Sequence, residues 1–252
     1  MKVTTEKKKV PALRFPGFNG EWEEKSLGHF LSFKNGINAS KEQYGRGIKF
    51  INVLDILNND YITYNKIIGS VDIDEDTLSK NEVSYGDILF QRSSETREEV
   101  GVANVYLDRD KKATFGGFVI RGQRIKNYHP VFMNFLMKTA MTRKEITSKS
   151  GGSTRYNVGQ EILRSVRIVL PPLPEQQKIA DFLTTIDTRI QQLTQKVDLL
   201  EHYKKGVIQK IFFQEIHFKN DQGRDFPAWE EKKLGDLIRE KTEKTTENNQ
   251  YE

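Results

Sequence analysis

From Ile179 onward the apolar residues Ile179, Leu183, Ile186, Ile190, Leu193, Val197, Leu200, Val207 and Ile211 follow one another at alternating steps of four and three. Lys204 takes the one place in that series that is not apolar. A stripe with this spacing over about four and a half heptads specifies a coiled-coil helix. As a helix the segment Glu175–Phe213 reaches about 58 Å, too long to bury its stripe against itself. The stripe therefore needs a partner, and two-fold pairing with an identical copy is expected. A single amphipathic helix packed on its own domain is the alternative.

A second feature is a stretch written twice. Trp22-Glu23-Glu24-Lys25-Ser26-Leu27-Gly28 returns 207 residues later as Trp229-Glu230-Glu231-Lys232-Lys233-Leu234-Gly235, identical at six of seven positions. Each copy has a Phe-Pro upstream, at Phe15-Pro16 and Phe226-Pro227. Self-similarity at a fixed lag marks a duplicated architecture. The expectation is one complete unit followed by the truncated opening of a second.

Between these features lies a mixed α+β region. Short runs rich in β-branched and aromatic residues, bounded by turn formers, read as strands at 48–53, 87–91, 101–107 and 117–121. Val131, Phe132, Phe135, Leu136 and Ile146 predict a helix over 130–147. The expected organisation is a disordered basic tail at 1–13, a globular domain at 14–173, a spacer helix at 174–217 and the start of a second repeat at 218–252, with a disordered tail from Glu240. Leu170-Pro171-Pro172-Leu173-Pro174 reads as extended punctuation that no regular element crosses.

Several functional classes find no support. No apolar run approaches a membrane span, and the lysine-bearing N-terminus has no apolar block behind it. With no cysteine there are no disulfides, thiolate metal sites or cysteine nucleophiles, which fits a reducing cytoplasm. His29, His129, His202 and His217 lack metal-ligand spacing, and no phosphate-binding loop or nucleophile elbow is present. Pro171-Pro172 lacks the preceding Asn or Asp and the following aromatic ring of an amino-methyltransferase motif. Catalysis by this chain is not expected.

The charge is unevenly spread. Asp72 to Asp87 carries a net of −5, and Lys138 to Arg167 a net of +5. That polarity suits a polyanion met on one face, though an ordinary soluble surface explains it equally well. Two segments fit nucleic acid. Lys149-Ser150-Gly151-Gly152-Ser153-Thr154-Arg155-Tyr156-Asn157 combines glycines that permit close approach with groups that hydrogen-bond phosphates or base edges. Gln91-Arg92-Ser93-Ser94-Glu95-Thr96-Arg97 is polar and Arg-bearing directly after a strand. A flexible turn remains the alternative for the first.

The order of parts resembles the specificity subunits of type I restriction–modification systems. The resemblance rests on Arg14-Phe15-Pro16-Gly17-Phe18, the repeated Trp-Glu-Glu-Lys-x-Leu-Gly, Gly86-Asp87-Ile88-Leu89-Phe90 and Gly151-Gly152-Ser153-Thr154-Arg155. Its most specific part is Leu170-Pro171-Pro172-Leu173-Pro174-Glu175-Gln176-Gln177-Lys178-Ile179-Ala180-Asp181-Phe182-Leu183. It implies a target-recognition domain and a spacer helix, bound to double-stranded DNA and to DNA methyltransferase subunits, with restriction subunits joining for cleavage. It implies no cofactor in this chain. S-adenosylmethionine belongs to the methyltransferase, and ATP and Mg to the restriction subunit, in a bacterial cytoplasm. The family joins two recognition domains in one chain, and only one is complete here.

An antiparallel homodimer of spacers is expected to rebuild the two-domain frame and to read an interrupted inverted repeat. A truncated chain acting as a coiled-coil decoy or regulator is the rival. The expected DNA contacts are Arg92, Ser93, Ser94, Arg155, Tyr156 and Asn157, then Lys34, Asn35 and Lys49. Arg is the common reader of guanine and Asn of adenine, while Lys more often holds phosphate. A surface ion pair or loop hydrogen bond is the alternative for each.

Overall fold

A computed structural model describes residues 11–152 and 154–238. Most of the expected N-terminal tail, Ser153 and the polar C-terminal tail lie outside the described residues. The chain divides into two compact units, Met1–Thr188 and Arg189–Glu252.

In the first unit an irregular entry leads to β1 (Glu23–Ser26), a single helical turn α1 (Leu27–Phe30) and β2 (Leu31–Asn35). Next come β3 (Tyr44–Ile51), α2 (Val53–Leu57), β4 (Ser70–Val71) and α3 (Glu75–Asn81). Five strands follow: β5 (Ile88–Gln91), β6 (Ser93–Ser94), β7 (Ala103–Val105), β8 (Thr114–Phe115) and β9 (Val119–Arg124). Helices α4 (Pro130–Lys138) and α5 (Ala140–Lys149), strand β10 (Tyr156–Asn157), helix α6 (Gln160–Ser165) and strand β11 (Arg167–Leu170) lead into α7 (Leu173–Phe212). The mixed α+β class with a long terminal helix is as the sequence predicts.

The centre is an antiparallel sheet in the order β2-β9-β5-β7. Ile88-Leu89-Phe90 is apolar throughout because both faces of this sheet are covered. Ile88, Phe90 and Ile120 join one buried cluster with Phe33, Phe132 and Met133. Leu89 and Val119, one residue out of phase, join a second with Ile51, Tyr106 and Phe115. Tyr128 is buried, and its hydroxyl donates to the Gly86 carbonyl at 2.5 Å. Removing that hydroxyl in Tyr128→Phe leaves a carbonyl without its donor and is expected to cost about 1–3 kcal/mol. A lower urea midpoint at unchanged slope is the signature to look for.

The helix expected over 130–147 is two helices. Thr139, with ψ 145°, ends α4 and caps α5, its hydroxyl accepting from the Thr142 amide at 3.3 Å. A side-chain oxygen that satisfies a helix start competes with continuation of the helix before it. The punctuation also moves. Leu173 and Pro174 belong to the first turn of α7, where proline forfeits no hydrogen bond.

That first turn is tied into the domain. Glu175 is 1 % exposed; its carboxylate accepts two hydrogen bonds from the Arg14 guanidinium, at 2.7 and 2.6 Å, and one from the Trp22 indole at 3.4 Å. Gln176 accepts from the His129 amide at 2.9 Å and donates to the Pro171 carbonyl at 2.8 Å. The first copy of the repeat thus docks on the helix start, with Phe15 edge-on to Phe182 and β1 paired antiparallel to β11. One seam residue changes role as a result. Ile179 is half-buried and packs against the main core cluster, so it already serves the domain.

In the second unit, Trp229 of the repeated copy stands edge-on to Phe212 near the end of α7, ring centroids 5.7 Å apart. Helix α8 (Leu234–Leu237) starts at the residue that matches the start of α1 in the first copy.

Candidate nucleic-acid interface

The two segments singled out in the sequence meet in space. Strands β6 and β10 pair antiparallel, with Ser93 opposite Asn157 and Ser94 opposite Tyr156. Side chains alternate between faces of such a pair, and opposite residues share a face. Ser93 and Asn157 face outward, the Ser93 hydroxyl donating to Asn157 Oδ1 at 2.5 Å. Ser94 and Tyr156 face inward. Ser94 is buried with its hydroxyl on Glu99 at 3.0 Å, and Tyr156 packs against the core cluster. These two hold the strand pair from beneath, which leaves Arg92, Ser93, Arg155 and Asn157 at the surface.

Arg92 is clamped through its backbone, its amide on the Phe118 carbonyl at 2.9 Å and its carbonyl accepting from the Val158 amide at 3.0 Å. Among the described residues its exposed guanidinium makes one hydrogen bond, to the Gly117 carbonyl at 3.3 Å. A guanidinium carries five N–H donors, so most of its capacity is free for a ligand. Asn35, Arg92, Gly151, Gly152 and Asn157 together line an open cleft of about 660 Å³. The glycine-rich tip is closed by two hydrogen bonds between Gly151 and Asn157, at 3.1 and 2.8 Å. Gly152 has φ +117°, and a Cβ there would lie 1.9 Å from the Arg155 carbonyl oxygen, so the tip requires glycine.

Lys34 and Lys49 stand apart from this cleft. The Lys34 ammonium donates to the Lys80 carbonyl at 2.7 Å, and that of Lys49 to the Ile67 carbonyl at 2.6 Å. Lys34 thereby ties β2 to α3, and Lys49 ties β3 to the segment before β4.

A second cleft of about 390 Å³ holds Gln91, Ser93, Glu95, Glu99, Phe118 and Arg155. Arg155 stands 3.7 Å from Glu95 in an exposed ion pair. Phe118 is 70 % exposed and also borders a hollow with Asn38, Tyr44 and Asn52. The sequence reading missed Phe118 because it counted the ring as part of a strand. Its signal was the Gly116-Gly117 pair before it, which lifts the ring onto a turn.

The charge polarity of the sequence largely dissolves in three dimensions. Arg143 holds the 95–100 loop through the Glu98 and Val100 carbonyls at 2.9 and 2.6 Å, and burial pulls its pKa down. Burial likewise lowers the pKa of Lys138, whose ammonium donates to the Asp60 carbonyl. Lys149 pairs with Glu145 at 2.7 Å and Arg167 with Glu24 at 2.6 Å. On the acidic side Asp74 caps α3, Asp76 pairs with Lys80 at 2.5 Å and Glu82 with Lys112 at 2.8 Å. Asp87 is buried, accepting from the Arg124 and Ser84 amides at 2.9 and 3.1 Å, and burial raises its pKa. Among the described residues no group of three His, Asp or Glu could hold a metal ion, and no helix is long and apolar enough to cross a membrane.

Of the stripe on α7, Ile186, Ile190, Leu193, Val197 and Leu200 are exposed, and Leu183, Val207 and Ile211 are half-buried.

Comparison with known proteins gives one family. The family model described as "Type I restriction modification DNA specificity domain" matches residues 19–202. The type I restriction enzyme MjaIX specificity subunit of Methanocaldococcus jannaschii is 25% identical over 236 residues, covering 87% of this chain and 52% of the relative. The MjaVIII specificity subunit of the same organism is 31% identical over 98 residues, covering 37% of this chain and 23% of the relative. The chain spans about half the length of the curated relatives it matches over most of its own length. Two solved structures share the fold. The HsdS subunit from Thermoanaerobacter tengcongensis is 18% identical with a TM-score of 0.52, over 77% of this chain and 46% of that one. The type I restriction–modification S subunit from M. genitalium is 15% identical with a TM-score of 0.50, over 83% and 49%. With its sheet, its long helix and a family match across most of its residues, the chain belongs to the type I restriction–modification DNA specificity family.

Proposed function

We propose that this chain is the DNA-reading part of a type I restriction–modification complex and holds methyltransferase subunits on a split target. The observation that carries the reading is the β6–β10 strand pair. It gathers Arg92, Ser93, Arg155 and Asn157, from segments some 60 residues apart, at clefts of the recognition unit. Arg and Asn are the side chains suited to purine edges in the major groove. The chain itself does no chemistry in this scheme. S-adenosylmethionine belongs to the methyltransferase partner, ATP and Mg to a restriction partner, and the assembly works in the cytoplasm.

The exposed stripe of α7 supports self-association. Two identical helices packed antiparallel would present two recognition units in two-fold relation, and such a pair reads an inverted repeat whose gap follows spacer length. The test is to reconstitute the chain with its cognate methyltransferase subunit, treat DNA of random sequence and sequence the methylated sites. An interrupted inverted repeat is the expected result. Methylation without any sequence preference would end the DNA-reading proposal, and an asymmetric site with no other specificity chain present would end the homodimer.

Arg92→Ala is expected to cost about 1–3 kcal/mol of binding to the cognate site and to relax one position of it. An equal loss on every sequence in a duplex-binding titration would assign Arg92 to phosphate instead.

A further inference from the structure

Gln91 ends β5 and floors the cleft that holds Phe118 and Arg155. Its side chain is 5% exposed. The amide Nε2 donates to the Ser93 carbonyl at 2.9 Å, and Oε1 meets no donor. Turning the amide over does not cure this, because Oε1 would then face the Ser93 carbonyl, acceptor against acceptor. The Ser93 contact therefore fixes an empty acceptor at the floor of the cleft. Buried polar atoms in folded proteins nearly always have a partner, and an exception calls for one.

The walls indicate which partner fits. Glu95 and Glu99 line the same cleft and repel a phosphate, so a backbone anion does not belong there. Phe118 offers an exposed apolar ring to a base. In the major groove adenine N6 and cytosine N4 are donors, whereas guanine O6 and thymine O4 are acceptors.

We infer that Gln91 is a specificity-determining residue, its Oε1 accepting from the exocyclic amino group of adenine or cytosine beside the Phe118 ring. It thus distinguishes amino from keto bases at one position of the target. The inference rests on the DNA-reading role proposed above. Arg155 and Glu95, an exposed pair 3.7 Å apart, are held together weakly. Oε1 is itself closed off from solvent, so a base reaches it only when the rim of the cleft, to which Arg155 and Glu95 belong, moves aside.

The test sequences methylated sites made by this chain with its cognate methyltransferase subunit, for the wild type and Gln91→Leu. For the wild type one position is expected to be restricted to adenine, cytosine or both on one strand. Gln91→Leu removes the acceptor and is expected to reduce discrimination at that position about tenfold or more, leaving the others unchanged. Circular dichroism checks folding. Should Gln91→Leu fail to fold, the exposed Phe118→Ala carries the test and must relax the same position.

A wild-type site with no such restricted position overturns the assignment, as does an unchanged site or a uniform loss at all positions in the variant used. These results leave the DNA-reading role standing. That role fails separately, and takes the inference with it, if the wild-type complex methylates without preference.

Discussion

Replacing Arg14 by alanine is expected to lower the melting temperature of the chain by on the order of 10 °C. The cause lies in Glu175. Its carboxylate is buried at the first turn of α7 and accepts both Arg14 hydrogen bonds, leaving only the long contact from Trp22 once the guanidinium is gone. Removing one partner of a buried pair leaves a charge out of water without compensation, which costs far more than the intact pair contributes. The same contact joins the first copy of the repeat to the helix start, so the loss is expected to loosen entry segment and helix together. Arg14→Lys keeps the charge but not the two-pronged geometry and is expected to recover part of the loss. Thermal unfolding followed by circular dichroism measures both. A change below about 2 °C for Arg14→Ala would show that water reaches Glu175 and that the pair does not anchor the helix.

Charging the spacer stripe has the larger effect on assembly. In Ile190→Glu with Leu193→Glu, two exposed apolar residues of α7 become carboxylates. Because a two-fold interface uses each residue twice, four charges enter the paired seam. Even at about 1 kcal/mol each, self-association falls on the order of a thousandfold. Both positions are exposed along the helix, so circular dichroism is expected to stay close to that of the wild type. Light scattering at micromolar concentration should then report a dimer for the wild type and a monomer for the variant. A wild-type monomer, or a variant that stays dimeric, would remove the antiparallel spacer pair from the proposed function.

Periodicity is a property of local sequence, and the elements that follow from it were legible. The four-three stripe specifies α7, and the β-branched and aromatic runs read at 87–91 and 117–121 contain the two central strands to within a few residues. The break at Thr139 was not, because the apolar spacing passes through it while the cap depends on one hydroxyl. Ile179 kept the stripe's spacing yet packs on the domain, since spacing alone does not say which neighbour a helix face meets.

Residue types at the interface were visible, but their roles were not. Arg92, Ser93, Ser94, Tyr156 and Asn157 all stood out for side chains that hydrogen-bond phosphates or base edges. The strand register turns Ser93 and Asn157 outward and Ser94 and Tyr156 inward. The hydrogen bonds of Lys34 and Lys49 to the carbonyls of Lys80 and Ile67 were not readable in the sequence, because they join residues 46 and 18 positions apart. Gln91 stood in a segment already singled out, but its place beside Phe118 in one cleft appeared only in the tertiary structure.

By itself, then, the sequence determined the class of fold, the long helix and the family to which the chain belongs, since these depend on local periodicity and on motifs readable in a line. The tertiary structure decided which charges are free, which side chains face solvent and where an acceptor stands without a donor. Those depend on pairings between residues tens of positions apart, which no local pattern encodes.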